Sequence, residues 1–283
     1  MTGQMMQRVL LAAVAASVCG CASERNAEPT QPVAAASPAA PTPPTPITPP
    51  TPTTPTTPTT PTTPPAAPTV GGEASGAKEV FPHVRVDAAK HEVEIDAFVP
   101  IDAHNERTPR VYLEVVLCST DTKEHESLVA TEARPSHVHA ALLLAGLEPG
   151  TPGTWDWEGA QIRPVPPTGP RVDVRLERRD TGEAWSPAAW VVSARAGKGL
   201  AELEPGEGFL FTGSQMLIRN GAEHYRADRE GCIVGLATFG GEVVGYSRLH
   251  SPESSLEEPD WMARADAVPP FGTKIVVRLR AAE

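Results

Sequence analysis

The sequence predicts a mainly β domain of antiparallel, sandwich-like sheets, preceded by a long N-terminal region that does not fold. After residue 78, short runs of β-branched and aromatic residues recur between turn-forming residues. A single segment has the periodicity of an amphipathic helix. Half of the 32 prolines lie before residue 70, where too few apolar side chains remain to build a core.

Residues 1–20 have the pattern of a signal peptide. Arg8 precedes the uncharged apolar run Val9–Val18, which is shorter than the roughly 20 residues that a membrane-spanning helix needs. The following Val18-Cys19-Gly20-Cys21 resembles the bacterial lipobox, whose cysteine receives diacylglycerol and further acyl chains such as palmitate. The resemblance implies an exported lipoprotein that Cys21 anchors to membrane lipid, at the periplasmic face or the cell surface. The alternative is a plain signal peptide cut near Ala22.

Residues 21–77 are predicted to form a disordered tether. From Pro41 to Pro65 every residue is Pro or Thr except Ile47. Such a segment lacks apolar side chains to bury and many backbone donors, so it favours the extended polyproline II conformation at about 3.1 Å per residue. The prediction is therefore a spacer, with residues 1–75 disordered apart from the signal segment.

Residues 78–283 are predicted to form one β domain. Its predicted strands share β-branched or alternating apolar residues: Val80–Val86, His91–Val99, Val111–Cys118, Arg171–Glu177, Gly208–Leu217, Cys232–Phe239 and Lys274–Leu279. One short helix is predicted at about 136–146, because Ser136 supplies a cap, Val138, Ala141, Leu142 and Ala145 form an apolar stripe, and Gly146 ends it.

The charge balance bears on the partners of this domain. The chain carries a formal net charge of −11, and its cationic residues are scattered among acidic ones. Nucleic acid binding needs basic patches that displace counterions. The sequence therefore predicts no nucleic acid partner; the expected partners are the membrane lipid and an envelope ligand or protein.

Two sequence blocks resemble the YdjY domain family. The first is His125-Glu126-Ser127-Leu128 followed by Pro135–Gly146, which includes His139-Ala140-Ala141-Leu142-Leu143. The second comprises Phe211-x-Gly213-Ser214, Tyr225-x-Ala227, Gly231, Phe239 and Pro269-Pro270-x-Gly272-Thr273. The resemblance covers nearly all of Val80–Leu279. It implies a domain name and draws attention to His125, Glu126 and His139, and it implies no reaction.

The candidate functional cluster is His125, Glu126, His137 and His139. Imidazole and carboxylate groups are zinc ligands and general acid–base groups. Two residues apart on a helix, His137 and His139 point in different directions, so the sharper hypothesis is a zinc-type site of His125, Glu126 and His139. The alternative is structural, with the same groups hydrogen-bonded between the turn and the helix.

Two other sets of residues have open roles. Cys118 and Cys232 are the domain's two cysteines and each lies in a predicted strand, which is compatible with a disulfide, with two buried free thiols, or with a nucleophile. Four clustered thiolates, as an iron–sulfur cluster requires, are not available. Trp155 and Trp157 could stack on a sugar or cover the edge of the core.

The sequence favours a non-enzymatic lipoprotein that presents its β domain for binding or envelope organisation. This rests on the predicted anchor, the long spacer and the lack of a recognised catalytic motif. The alternative is a metal-assisted, zinc-type enzyme that uses His125, Glu126 and His139.

Overall fold

A computed structural model describes residues 76–107, 110–159 and 161–282. The predicted signal segment, the predicted lipidation site Cys21 and the predicted tether up to residue 75 lie outside the described residues. The described part is mainly β, as predicted. No helix within it is long and apolar enough to cross a membrane.

The described strands, in chain order, are β1 (Lys78–Phe81), β2 (Val84–Asp87), β3 (Glu92–Phe98), β4 (Val115–Ser119), β5 (Ser127–Thr131), β6 (Thr154–Glu158), β7 (Gln161–Val165), β8 (Arg171–Arg178), β9 (Ala184–Trp185), β10 (Val191–Ser193), β11 (Phe209–Phe211), β12 (Met216–Arg219), β13 (Ala222–Tyr225), β14 (Cys232–Gly235), β15 (Val244–Tyr246), β16 (Trp261–Ala263) and β17 (Lys274–Ala281). The α-helices are α1 (Pro135–Leu144), α2 (Leu200–Leu203) and α3 (Arg226–Glu230). Short 3₁₀ turns span Glu124–Glu126 and Pro187–Trp190.

Eight strands close into a barrel rather than forming the expected sandwich. Their order is β3-β17-β8-β11-β15-β14-β4-β5, and β5 returns to β3 through the pair Phe98 and Ala130. Most neighbours are antiparallel, but β14–β15 and β4–β5 are parallel. Closure depends on a pairing between strands that are not consecutive in the chain, and alternating hydrophobicity carries no information about such a pairing.

The main core fills the space that this sheet encloses and covers. Among its fully buried side chains are Ile95, Leu117, Leu176, Phe211 and Leu279, contributed by five different barrel strands. On β17 apolar residues such as Ile275 and Val277 are buried, whereas Lys274 is exposed. The predicted strands therefore owe their apolar residues to this shared core.

Two predicted strands are each divided by a turn. The run Val80–Val86 forms β1 and β2, because His83 adopts a positive φ of 66° after Pro82. The run Gly208–Leu217 forms β11 and β12, with positive φ at Gly213 (85°) and Ser214 (60°) between them. Left-handed backbone ends a strand locally, and these two turns set the geometry around α1.

The predicted helix is α1, and it packs on the barrel through its apolar face. Val138, Ala141 and Leu142 are fully buried, and Gly146 follows the helix with a φ of 89°. The N-cap residue is Arg134, not the predicted Ser136, and it makes no side-chain cap. The short helices α2 and α3 were not predicted, since each has too few residues to show periodicity.

Asp228 of α3 caps α1 from outside the helix. Its carboxylate accepts hydrogen bonds from the backbone N–H and the hydroxyl of Ser136, each 2.7 Å long. A carboxylate at a helix N-terminus satisfies free N–H groups and interacts favourably with the helix dipole. This contact fixes the first turn of α1, which carries His137 and His139.

Candidate functional site

The side chain of His139 lines an open pocket of about 530 Å³ between α1 and the β11–β12 turn. We call it the His139 pocket and define it by His139 and Leu143 of α1, Pro149, Gly213, Met216 and Tyr225. Helix α1, the turn between β11 and β12, and the end of β13 each contribute one part of the pocket wall. The pocket thus depends on the β11–β12 turn and on α1, whose first turn the helix cap holds.

The imidazole of His139 is held by a chain of hydrogen bonds. Its Nδ1 lies 2.7 Å from the Tyr225 hydroxyl, and that hydroxyl donates to the Gly213 carbonyl over 2.9 Å. A tyrosine hydroxyl has one proton to donate. Because that proton goes to Gly213, Nδ1 of His139 must be the donor to the phenolic oxygen, and Nε2 is left as a hydrogen-bond acceptor.

The surroundings of His139 favour the neutral ring. Burial lowers the pKa of His139, and the nearby Gly213 carbonyl only partly opposes this. The ring also packs edge-on against Phe211 and Tyr225, with centroid separations of 5.2 and 5.6 Å. The surroundings of His139 therefore favour an oriented, uncharged imidazole over the imidazolium ion.

The backbone opposite His139 has little freedom. A Cβ at Gly213 would lie 2.5 Å from Cβ of Pro149, and the residue has a φ of 85°. Ser214 also has positive φ; its hydroxyl donates to the Gly241 carbonyl and accepts from the N–H of Ala227. Only glycine fits the first position, and hydrogen bonds stabilise the second. The wall of the pocket is accordingly preorganised.

The structure places His137 away from this pocket. Its ring stacks on Phe81 of β1 with the centroids 4.6 Å apart, and its buried Nδ1 has no hydrogen-bond partner among the described residues. His137 therefore serves the packing of α1 against the β1–β2 hairpin, and His139 is the helix histidine available to a ligand.

His125 and Glu126 line a different pocket, beside Tyr112. The His125 side chain is 80% exposed, and the Glu126 carboxylate forms an ion pair of 2.5 Å with Lys123. Among the described residues, no group of three or more His, Cys, Asp or Glu side chains is arranged to hold a metal ion. The structure does not bring His125 and Glu126 together with His139, so the proposed zinc-type site is not seen.

Cys118 and Cys232 are opposite each other on β4 and β14, fully buried, and both are free thiols. Burial raises the pKa of both thiols. Because the thiolate is the reactive form, a buried thiol of raised pKa makes a poor nucleophile. Of the three roles considered for these cysteines, the nucleophile fits the geometry least.

Trp155 lies on β6, in the β6–β7 hairpin. Its indole N–H donates to the Thr238 carbonyl over 3.1 Å, and its ring lines a pocket of about 570 Å³ that Phe239 and Arg226 also line. The guanidinium of Arg226 is occupied by Glu230 and by two backbone carbonyls. Trp155 thus ties this hairpin to the connection between β14 and β15.

A buried ionic cluster around His250 was missed in the sequence. Its Nδ1 lies 2.9 Å from Glu257 and its Nε2 lies 3.1 Å from Glu204. Burial opposes the charge, but these two carboxylates outweigh it and raise the pKa of His250. The partners come from separate segments with no motif in common, so the sequence offered no signal for this cluster.

The comparisons with known proteins agree with the sequence resemblance. The model of the YdjY domain matches residues 84–280. No curated protein and no solved structure matches the chain. His139 from the first sequence block and Phe211, Gly213 and Tyr225 from the second meet in and around one pocket. The match spans more than half of the chain, which therefore belongs to the YdjY domain family.

Proposed function

We propose that this protein is an exported lipoprotein, anchored through Cys21, whose YdjY domain binds a small, mostly apolar molecule carrying a hydrogen-bond donor. The binding site is the His139 pocket. The observation that carries this proposal is the oriented imidazole of His139: its Nδ1 is engaged with Tyr225, and the residue lines a pocket with mostly apolar walls.

The apolar part of the ligand is matched by side chains that the fold leaves uncovered. Leu143 is 47% exposed and Met216 is 56% exposed, and both line the pocket beside Pro149 and Ala140. Exposed apolar residues scattered singly are ordinary, whereas several around one concave site mark a binding surface. Burial of a ligand's hydrocarbon part here would gain about 25 cal/mol for each Å² removed from water.

The polar part of the ligand is matched by Nε2 of His139. A neutral imidazole with a protonated Nδ1 accepts one hydrogen bond at Nε2. A net contribution of about 0.5–1.5 kcal/mol for such a bond corresponds to about a two- to thirteenfold change in affinity. The site should therefore prefer an alcohol or amide over an apolar analogue of equal size.

Binding of octan-1-ol and of heptyl methyl ether to the purified protein tests this preference. The ether has the same number of heavy atoms but no hydroxyl donor. We expect the alcohol to bind several-fold more tightly in isothermal titration, and His139→Phe to abolish that difference while retaining the aromatic contact with Phe211.

His137→Phe is the matched control, because it changes the other histidine of α1 and keeps the stacking on Phe81. It should leave the preference for the alcohol intact. Equal affinity for the two ligands in the wild type, or an unchanged preference in His139→Phe, would remove the assigned role of His139.

The anchor is tested separately in the cell. With Cys21 lipidated, the wild type should partition into the detergent phase and its N-terminal peptide should carry acyl chains. Cys21→Ser should lose both properties, whereas Cys19→Ser should keep them, because serine is common at that lipobox position. A wild-type protein with an acyl-free N-terminus elsewhere in the sequence would contradict the anchor.

A further inference from the structure

The backbone hydrogen bonds around Cys118 and Cys232 define how closely these residues approach. They are direct partners across the antiparallel strands β4 and β14, and the N–H of Ser119 donates to the carbonyl of Gly231. Ser119 and Gly231 are the neighbours of Cys118 and Cys232 in the chain. A hydrogen bond between these neighbours, and not between the cysteines themselves, identifies the cysteines as a non-hydrogen-bonded pair. In such pairs the Cα atoms lie about 4.5 Å apart and the side chains are at their closest, which is within the range of about 4.4–6.8 Å that disulfides span.

The two side chains also share one environment. Both belong to a small buried cluster with Val115 and Ala130, separate from the main core. They are the only cysteines among the described residues. Two thiols on the same side of adjacent strands, at a non-hydrogen-bonded pair, need no strand movement to become bonded.

We infer that Cys118 and Cys232 form a cross-strand disulfide that links β14 to β4, the strand next to the one that closes the barrel; the structure shows the reduced form. Cys118 pairs with Ala130 on its other side, and Ala130 makes the single pair with Phe98 that joins β5 to β3. The bond would therefore hold β4 in place beside the strand that closes the barrel.

Strand pairing on the two sides of β14 is irregular or sparse, which gives the bond a structural purpose. The β4–β14 register is irregular on both sides of Val234, and β14 meets β15 through the single pair Val234 and Val244. The two cysteines are more than a hundred residues apart in the chain. A link between such distant residues restricts the unfolded chain strongly.

The chemistry is thiol–disulfide exchange with the disulfide of an extracytoplasmic thiol oxidase. One cysteine thiolate attacks a sulfur of the donor, forming a mixed disulfide and releasing a donor thiolate. The second cysteine thiolate then attacks the mixed disulfide and releases the other donor thiolate. The protein loses two protons and two electrons, and the donor becomes a dithiol. Exchange precedes the burial of the thiols, and in the cell it rests on the export proposed above.

Refolding in vitro tests the bond independently of export. The full chain is unfolded in urea with reductant and refolded in a buffer of oxidised and reduced glutathione. Remaining thiols are alkylated before digestion with trypsin. We expect peptide Val111–Lys123 to be linked to peptide Glu230–Arg248, with a mass two hydrogen atoms below the sum of the two peptides. The link should disappear on reduction.

Recovery of both peptides alkylated and separate, or a link from either one to Cys19 or Cys21, would overturn the inference. A second measurement compares melting temperatures with and without dithiothreitol. The reductant should lower the melting temperature of the refolded wild type and leave that of the double variant Cys118→Ala/Cys232→Ala unchanged. No response in the wild type would also overturn it.

Protein isolated from cells, alkylated at lysis, separates this inference from the proposed export. A linked pair both in vitro and in cells supports the inference and the oxidising compartment. A pair that is linked in vitro and free in cells supports the inference and contradicts the export part of the proposed function.

Discussion

Replacement of Glu242 by Gln should make the domain more stable at alkaline pH. Glu242 is only 2% exposed, and one of its carboxylate oxygens accepts a hydrogen bond from the N–H of Gly241. Burial raises the pKa of Glu242 from its ordinary value of 4.5 to about 6, although backbone hydrogen bonds oppose the shift. The folded domain therefore favours the neutral carboxylic acid of Glu242 over its carboxylate.

The magnitude follows from that shift. One unit of pKa is worth about 1.36 kcal/mol, so ionisation of Glu242 costs the folded state about 2 kcal/mol. The folded pKa lies above the unfolded one, so this contribution to stability is fully present below pH 4.5 and is lost as the pH rises through about 6. Glu242→Gln has no such loss. Its advantage over the wild type should grow by about 2 kcal/mol between pH 4.5 and pH 8.

Urea denaturation of both proteins at pH 4.5 and pH 8 measures this change. The comparison across pH cancels the effect of the amide on packing and hydrogen bonding, because that effect is the same at both pH values. For a domain of this size, about 2 kcal/mol corresponds to roughly 4–8 °C in melting temperature. Glu223→Gln, the same substitution at an exposed glutamate, provides the control. A Glu242→Gln difference that does not change with pH would refute the reasoning.

Three further outcomes are expected. The pKa of His250 is raised in the folded state, so its contribution to stability is present below its ordinary pKa of 6.5 and is lost as the pH rises through the folded pKa. His250→Gln should remove that part of the pH dependence of urea denaturation. An unchanged pH profile would contradict this. Asp228→Ala should lower the free energy of unfolding by about 0.5–2 kcal/mol, because it removes the cap on Ser136; a change within error would show that the cap is unimportant. Elemental analysis of the purified protein should show the same zinc content for the wild type and for His125→Ala, because His125 and His139 line different pockets; stoichiometric zinc that is lost in the variant would contradict the separation of these sites.

The local features of the fold could be predicted from the sequence, because they depend on neighbouring residues. The helix α1 follows from its apolar spacing and from Gly146, and β8 and β17 lie close to the predicted strands. The turn after Asp87 is likewise local, because the Asp87 carboxylate accepts hydrogen bonds from the N–H groups of Ala89 and Lys90. Each of these features is encoded within about ten residues.

The barrel closure and the candidate site could not be predicted in the same way. Closure depends on the pair Phe98 and Ala130, and the His139 site depends on Tyr225, which is distant in the chain. The sequence resemblance drew attention to His139 but grouped it with His125, because both occur in the same block. Tertiary contacts separate the two histidines, and no local pattern records such contacts.

The protonation state of His139 tests the central claim most directly. A long-range ¹H–¹⁵N correlation spectrum of the histidine side chains at pH 7, assigned by comparison with His139→Phe, distinguishes the two neutral tautomers from the imidazolium ion. We expect a neutral ring with the proton on Nδ1 and a free Nε2, because Tyr225 donates its proton to Gly213. An imidazolium at pH 7, or a neutral ring protonated on Nε2, would contradict the acceptor role on which the proposed binding site depends.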